Sequence, residues 1–419
     1  MSVLLNPGPV RHGTADRIRR LDCLDGLRGL LAVYVLLGHM APFAVLPDWL
    51  QAGLSHGQAA VDVFFVLSGL VITQSLQQAG GGARRFLILR ATRIFPVYLP
   101  VFAVAVLLEP WSCGYERMPW IGADDVARTI CVTSWPDYWV PEILAHLTMT
   151  HGLFPDGVLK HVWVSFLGSA WSLSTEWQFY LLALLVIGGC RWVRPGDDAA
   201  KAVGAGVGRT RGPALTRFFA EGDGRSRVLC RTLLALAVAG VAWRLTVPEG
   251  WLFSRAFLPN KAHFFALGVA AAGVVRLESG ALQRYGVVLA ATLAICATQE
   301  AIGKIVPPLA WTVCLVIQML PVGHGVRWVG WVLRNRAAQY LGALSYCLYL
   351  VNEPIHKLLV AALSRVADAD ALLFTLLWVP AAVVLPFVIS VWLHGHVEVP
   401  ALQWGRRVAG PGDRTISLR

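Results

Sequence analysis

Stretches of about 20 mostly apolar residues recur along the whole of this 419-residue chain, near 24–45, 58–79, 88–108, 169–190, 231–247, 259–275, 284–301, 307–322, 338–362 and 371–394. About 20 such residues are what a helix needs to cross a bilayer. Lipid offers the backbone no hydrogen bonds, so only helices and closed barrels cross it. The predicted fold is therefore all-α, a polytopic integral membrane protein of about ten transmembrane helices. Charged residues make up only 15% of the chain and hydrophobic ones 56%, against about 25% charged in soluble domains. One membrane domain is expected over 21–399, between a basic segment 1–20 and a tail 400–419.

Charge sets the orientation. Arg11, Arg17, Arg19 and Arg20 precede the first span, Arg84, Arg85, Arg90 and Arg93 follow the second, and nine Lys/Arg lie from Arg191 to Arg231. Basic clusters after every second span are the positive-inside pattern. They put both termini in the cytoplasm and the protein in the cell (inner) membrane, and they account for the net charge of +11 without a nucleic-acid partner. No cleavable signal is evident, so the first span is expected to serve as targeting signal. The loop 191–230, rich in Gly, Ala, Asp and Arg, reads as a partly disordered cytoplasmic connection, and the tail after Pro400 is similar. The segment 141–155 (PEILAHLTMTHGLFP) is too short and polar to span and reads as a re-entrant or interfacial helix carrying His146 and His151. Cys113 and Cys131 fall in an outer loop, where a disulfide and two free thiols are both open.

Ionisable groups inside spans are costly and mark sites by default. Arg28 and His39 lie eleven residues apart in the first span, almost three turns, on one face and roughly 16 Å apart. An Arg near the inner face in line with a deep His suits a long ligand with an anionic head. Asp25, three residues before Arg28, offers a local ion pair instead. Arg90 and Arg93 sit one turn apart in the third span, where their rigid donor forks match phosphate; positive-inside anchoring is the alternative. Ser68 with Gly69 allows close helix packing or contact with a ligand. Glu176, in the outer half of a span, is placed to orient His39 or to pair with an Arg. The ninth span holds Ser345, Tyr346, Asn352, Glu353 and Pro354, and the proline is expected to break or kink it, freeing carbonyls toward a cavity. His394, His396 and Glu398 have metal-cluster spacing, but at a membrane exit polar residues are ordinary, and no metal is expected. There is no Walker loop, GxSxG elbow or HExxH motif.

These segments resemble, in order, the blocks of the membrane acyltransferase 3 family. The Arg28–ten residues–His39 spacing is similar to its best-known motif. FFVLSGLVIT resembles FFVLSGFLIT, and the Arg90/Arg93 helix with RIFPVY resembles RRxxRIxPxY. WSLSTEWQFYLL resembles WSLSVEEQFYLL, HFFALGVAAA resembles FxxGxxxA, and LGALSYCLYL resembles LGxISYSLYL. Two departures stand out: Trp177 replaces a glutamate, and VNEPI (Val351 to Ile355) stands where many members have WHxPI. The resemblance implies an acyl-CoA donor, most often acetyl-CoA, entering from the cytoplasm and used as co-substrate with no bound cofactor. Arg28, Arg90 and Arg93 would hold its phosphates and His39 would be general base on an acceptor hydroxyl of a carbohydrate or glycosylated compound. Ser68, Tyr98 and Tyr346 are candidate oxyanion donors. The alternative is a secondary transporter of an anionic or glycosylated compound, whose mark would be paired broken helices in two halves; Pro354 supplies one break and no second copy is seen.

Overall fold

The computed structural model describes residues 22–78, 83–111, 118, 120–121, 135–192, 224–299, 304–320 and 327–410. Cys113 and Cys131 lie outside these, as does most of the loop 191–230. The described residues form helices α1 (Asp22–Met40), α2 (Asp48–Leu54), α3 (Gly57–Gln78), α4 (Ala83–Leu108), α5 (Trp139–Leu147), α6 (Trp171–Trp192), α7 (Gly224–Thr246), α8 (Ala262–Val275), α9 (Ala281–Ala297), α10 (Val306–Met319), α11 (Arg327–Arg334), α12 (Arg336–Ala369), α13 (Ala371–Leu393) and α14 (Val399–Val408). Each of the ten apolar segments coincides, over its described residues, with one of these helices, and no strand occurs among the described residues.

Length divides them. Five helical stretches are long and apolar enough to cross a membrane: Asp22–Phe43, Asp48–Leu76, Ala83–Leu108, Gly224–Thr246 and Ala371–Val408. The apolar helices α8, α9 and α10 have 14, 17 and 14 residues. At 1.5 Å per residue they reach only about 21–26 Å, short of a hydrocarbon core of about 30 Å. Large apolar side chains nevertheless face outward: Leu107 on α4, Leu185 on α6, Leu245 on α7 and Leu376 on α13 are each more than 60% exposed. That is the surface a lipid-facing helix presents and a soluble one avoids.

Lipid supplies no hydrophobic push between helices, so association depends on close backbone approach at small residues. Two such seams organise the molecule. Along α1 and α12, a Cβ at Gly29 would lie 2.4 Å from the Ala338 carbonyl oxygen, and one at Gly342 would lie 2.2 Å from that of Asp25. Along α3 and α8, a Cβ at Gly69 would lie 2.3 Å from the Phe265 oxygen and one at Gly268 2.0 Å from that of Val66. The packing expected of Ser68-Gly69 is thus realised at the glycine. Two buried lysines are paired, as a low dielectric favours: Lys261 Nζ lies 2.5 Å from Asp62, and Lys357 lies 3.5 Å from Glu109 and 3.6 Å from Glu353.

Three segments differ from expectation or refine it. Helix α12 continues through Pro354 without a break, because the proline adds its ring to a helix already held along its length against α1 and α13. Of the tail after Pro400, the residues up to Val408 are helical: α14 lies along α4, its Gly405 seated on Thr92 where a Cβ would be 2.2 Å from the hydroxyl oxygen, and Arg85 donates to the carbonyls of Ala409 and Gly410 at its end. The segment 141–155 forms the nine-residue helix α5 and the 3-10 turn His151–Leu153, too short to span. Its two histidines are buried, with rings stacked at 4.0 Å.

Candidate active site

Helices α1, α3, α4, α6 and α12 enclose a cavity of about 340 Å³. Arg28 comes to it from α1, Ser68 from α3, Arg90 and Arg93 from α4, Glu176 from α6 and Tyr346 from α12. Six side chains spread over more than 300 residues of sequence therefore share one chamber.

Each arginine is held by the wall and still turned to the cavity. Arg28 donates to Ser345 Oγ at 3.3 Å, with the Asp25 carboxylate 4.0 Å away. The expected Asp25–Arg28 pair therefore exists, at the limit of ion-pair range. Arg90 donates to Ser75 Oγ at 2.6 Å and lies 5.6 Å and 5.8 Å from the ring centroids of Phe86 and Tyr180. Its Nε–H is buried with no hydrogen-bond partner, a donor whose desolvation is compensated only if a ligand meets it. Arg93 pairs with Glu398 and lies 5.4 Å from the Tyr346 ring centroid. Guanidinium groups over aromatic faces gain a cation–π attraction without using their in-plane donors. Three guanidinium groups stand against three carboxylates, Asp25, Glu176 and Glu398, but only Arg93 is held in a close ion pair, so Arg28 and Arg90 keep donors for an anion.

Glu176 accepts hydrogen bonds from Ser68 Oγ at 2.6 Å and from the Tyr180 hydroxyl. It touches neither His39 nor an arginine, contrary to both expected roles. Tyr180 escaped the sequence reading, although its i+4 spacing from Glu176 was a usable signal. Tyr346 gives its hydroxyl to the Ile94 carbonyl at 2.6 Å. Tyr98 is not part of the chamber. It is buried, its hydroxyl donates to the His146 carbonyl at 3.1 Å, and its ring stacks on Phe102. Five residues separate it from Arg93, so it points about 140° away around the same helix.

His39 lies outside the cavity wall, further along α1, half-buried. Its partner is Asn352 of α12, Nδ1 to Oδ1 at 2.6 Å. The sequence presented Asn352 as a polar residue of the ninth span and as part of a departure from the WHxPI pattern, without pointing to His39, and it did not point to Glu398 as the carboxylate of Arg93. A five-residue π-helical turn, His394–Glu398, precedes α14 and carries Glu398 into the bundle. There it also accepts from His394 Nδ1 at 2.8 Å and from the Cys347 thiol at 3.1 Å. Cys347, His394 and Glu398 have ligand atoms within 4.8 Å of one another, but the guanidinium of Arg93 already balances this carboxylate. His396 turns away, donating to the Trp392 carbonyl.

Among the described residues, helices of span-length apolar sequence surround an arginine-lined chamber, the features of a membrane protein. Residues 21–395 match the acyltransferase 3 family, described as an acyltransferase domain, and the chain belongs to that family. The acyltransferase MdmB of Streptomyces mycarofaciens is 26% identical over 93% of this chain and 94% of its own length. The putative peptidoglycan O-acetyltransferase YrhL of Bacillus subtilis is 28% identical over 41% of this chain, and the O-acetyltransferase OatA of Staphylococcus aureus is 29% identical over 40%. The matched part spans about a quarter of these two relatives, 24% and 25% of their lengths. No solved structure matches the chain.

Proposed function

We propose that this acyltransferase moves an acyl group, in the first instance acetyl, from acyl-CoA to a hydroxyl of a carbohydrate or glycosylated acceptor. The observation that carries this reading is the chamber itself: three guanidinium groups, one with an orphaned N–H, on helices that include the one bearing His39. Arg28, Arg90 and Arg93 suit a phosphate-rich head, since their planar forks bind phosphate oxygens in pairs. From Arg28 to His39 is roughly 16 Å along α1, a distance that an extended pantetheine arm covers. The relatives named as O-acetyltransferases support an oxygen acceptor.

In the reaction, the acceptor oxygen attacks the thioester carbonyl while His39 takes the hydroxyl proton. The C–S bond breaks as the ester C–O bond forms, and the proton passes to the departing thiolate. Holding hydroxyl and thioester together supplies much of the remaining rate. In this reading the protein lies in the cell membrane with both termini cytoplasmic, as the basic clusters favour, and the short helices α8, α9 and α10 cross only where the bilayer thins around them. A transporter is not favoured, because α12 runs through Pro354 unbroken and the mark expected of such a carrier is lost.

The test is equilibrium binding of coenzyme A to the detergent-purified protein beside Arg28→Ala, together with turnover of His39→Ala. Binding should weaken at least tenfold in Arg28→Ala, the size of a lost charge-assisted contact. His39→Ala should bind coenzyme A normally and transfer nothing. A folded wild type that does not bind coenzyme A, or an active His39→Ala, would overturn the proposal.

A further inference from the structure

One buried amide of α12 faces the imidazole of His39. Asn352 is fully buried on α12. Its Nδ2 donates to the Leu348 carbonyl at 2.9 Å and to the Tyr349 carbonyl at 2.8 Å. Both amide hydrogens are thereby used within its own helix. Flipping the group would set Oδ1 against two carbonyl oxygens, so the oxygen must be the atom facing His39. An amide oxygen has no proton to give. At 2.6 Å the hydrogen in this contact must come from Nδ1 of the imidazole.

We propose that Asn352 is the positioning residue of His39, fixing the tautomer in which Nδ1 carries the proton and Nε2 presents its lone pair. This rests on the reading of His39 as general base, and it adds which nitrogen accepts the acceptor's proton. The arrangement parallels sites in which a third group orients a catalytic imidazole, with one difference. Asn352 is neutral, so it sets direction without stabilising the imidazolium by charge. Among the described residues no carboxylate lies within ion-pair range of His39. Glu353, next to Asn352, accepts from the amides of Gly168 and Ser169 at 2.8 and 2.6 Å and faces Lys357. Asp62 of α3 is paired with Lys261. His356, one turn further along α12, gives its Nε2–H to the Ala382 carbonyl at 2.9 Å. At the end of α1 next to His39, α13 presents Trp378, which is uncharged and donates to the Met40 carbonyl at 3.0 Å.

The experiment is ¹⁵N NMR of the full-length, histidine-labelled protein in lipid, with His39→Gln used to assign the His39 resonances and Asn352→Ala and Asn352→Asp compared. The neutral form of wild-type His39 should show a protonated Nδ1 and an unprotonated Nε2. Asn352→Ala should show both tautomers. Asn352→Asp, close in shape and also an acceptor at this place, should keep the proton on Nδ1. In parallel, thiol release from acetyl-CoA, with soluble chitin oligosaccharide as probe acceptor, should fall at least tenfold in kcat for Asn352→Ala. Coenzyme A affinity should stay within twofold, which separates lost positioning from a damaged fold. A wild-type His39 protonated at Nε2 would overturn the inference. So would an Asn352→Asp protein whose neutral imidazole carries its proton on Nε2, which still decides the matter if Asn352→Ala does not fold. If the tautomer is as stated but His39→Gln remains active, the general-base reading fails and the positioning does not.

Discussion

Substituting Gly342 by alanine adds one carbon where α1 and α12 touch. That carbon would stand 2.2 Å from the carbonyl oxygen and 3.0 Å from the carbonyl carbon of Asp25, against 3.4–4 Å for ordinary contact. Both neighbours are helix backbone, so the seam must open by about 1 Å. Overpacking of this size costs about 1–3 kcal/mol of stability. The functional cost is larger and localised. Ser345, which holds Arg28, stands one turn from Gly342, whereas Asn352 lies ten residues on, about 15 Å along the axis. The opening is therefore widest at the donor's arginine and smallest at His39. A 1 Å misplacement of a binding group can cost about 100-fold in rate. Gly342→Ala should lower kcat/KM for acetyl-CoA by roughly that factor, most of it in KM and in coenzyme A affinity. The control is Gly286→Ala on α9, whose Cβ meets nothing within 4 Å and which should change neither. A folded Gly342→Ala protein with coenzyme A affinity within twofold of wild type would refute the claim that this seam sets the donor geometry.

Two further outcomes are expected. Glu398→Ala removes the buried carboxylate from Arg93 and should lower stability by about 3 kcal/mol, seen as a depressed Tm in detergent; an unchanged Tm would mean that Arg93 finds its charge balance elsewhere. His151, on the short segment that does not span, is pushed down by burial to about 4, from 6.5. Its buried neighbour His146 is likewise held well below that value, by burial and by His151. Unfolded histidine binds protons that these two refuse when folded, so stability is full above about pH 6.5 and is lost as pH falls toward 4. His151→Phe, which keeps a stackable ring, should flatten the dependence of Tm on pH over that window, and an unaltered slope would show that other groups control it.

The helices and half the chemistry could be read from the chain because the membrane makes both conspicuous. A run of twenty apolar residues has few alternatives to helix, and an Arg or Glu within it has few alternatives to a polar chamber. Arg28, Arg90, Arg93 and Glu176 announce themselves this way, and the structure brings all four to one cavity. Partners are another matter. The contact from His39 to Asn352 closes over 313 residues and that from Arg93 to Glu398 over 305, and periodicity carries no information across such distances. Asn352 was the harder to see, since a neutral amide in a span reads as packing. Its meaning depends on two carbonyls of its own helix claiming its N–H groups. Glu398 sat beyond the last apolar run, where carboxylates are ordinary; only the π-turn before α14 carries it inward. Glu176 shows the opposite error. Its charge called for a partner, and a histidine or an arginine seemed the natural choice, yet two hydroxyls from Ser68 and Tyr180 suffice. That choice leaves all three guanidinium groups of the chamber free of Glu176. Arg93 is taken by Glu398, but a Glu176 satisfied by neutral donors makes no claim on the forks of Arg28 and Arg90, which is the condition under which these remain available to a phosphate.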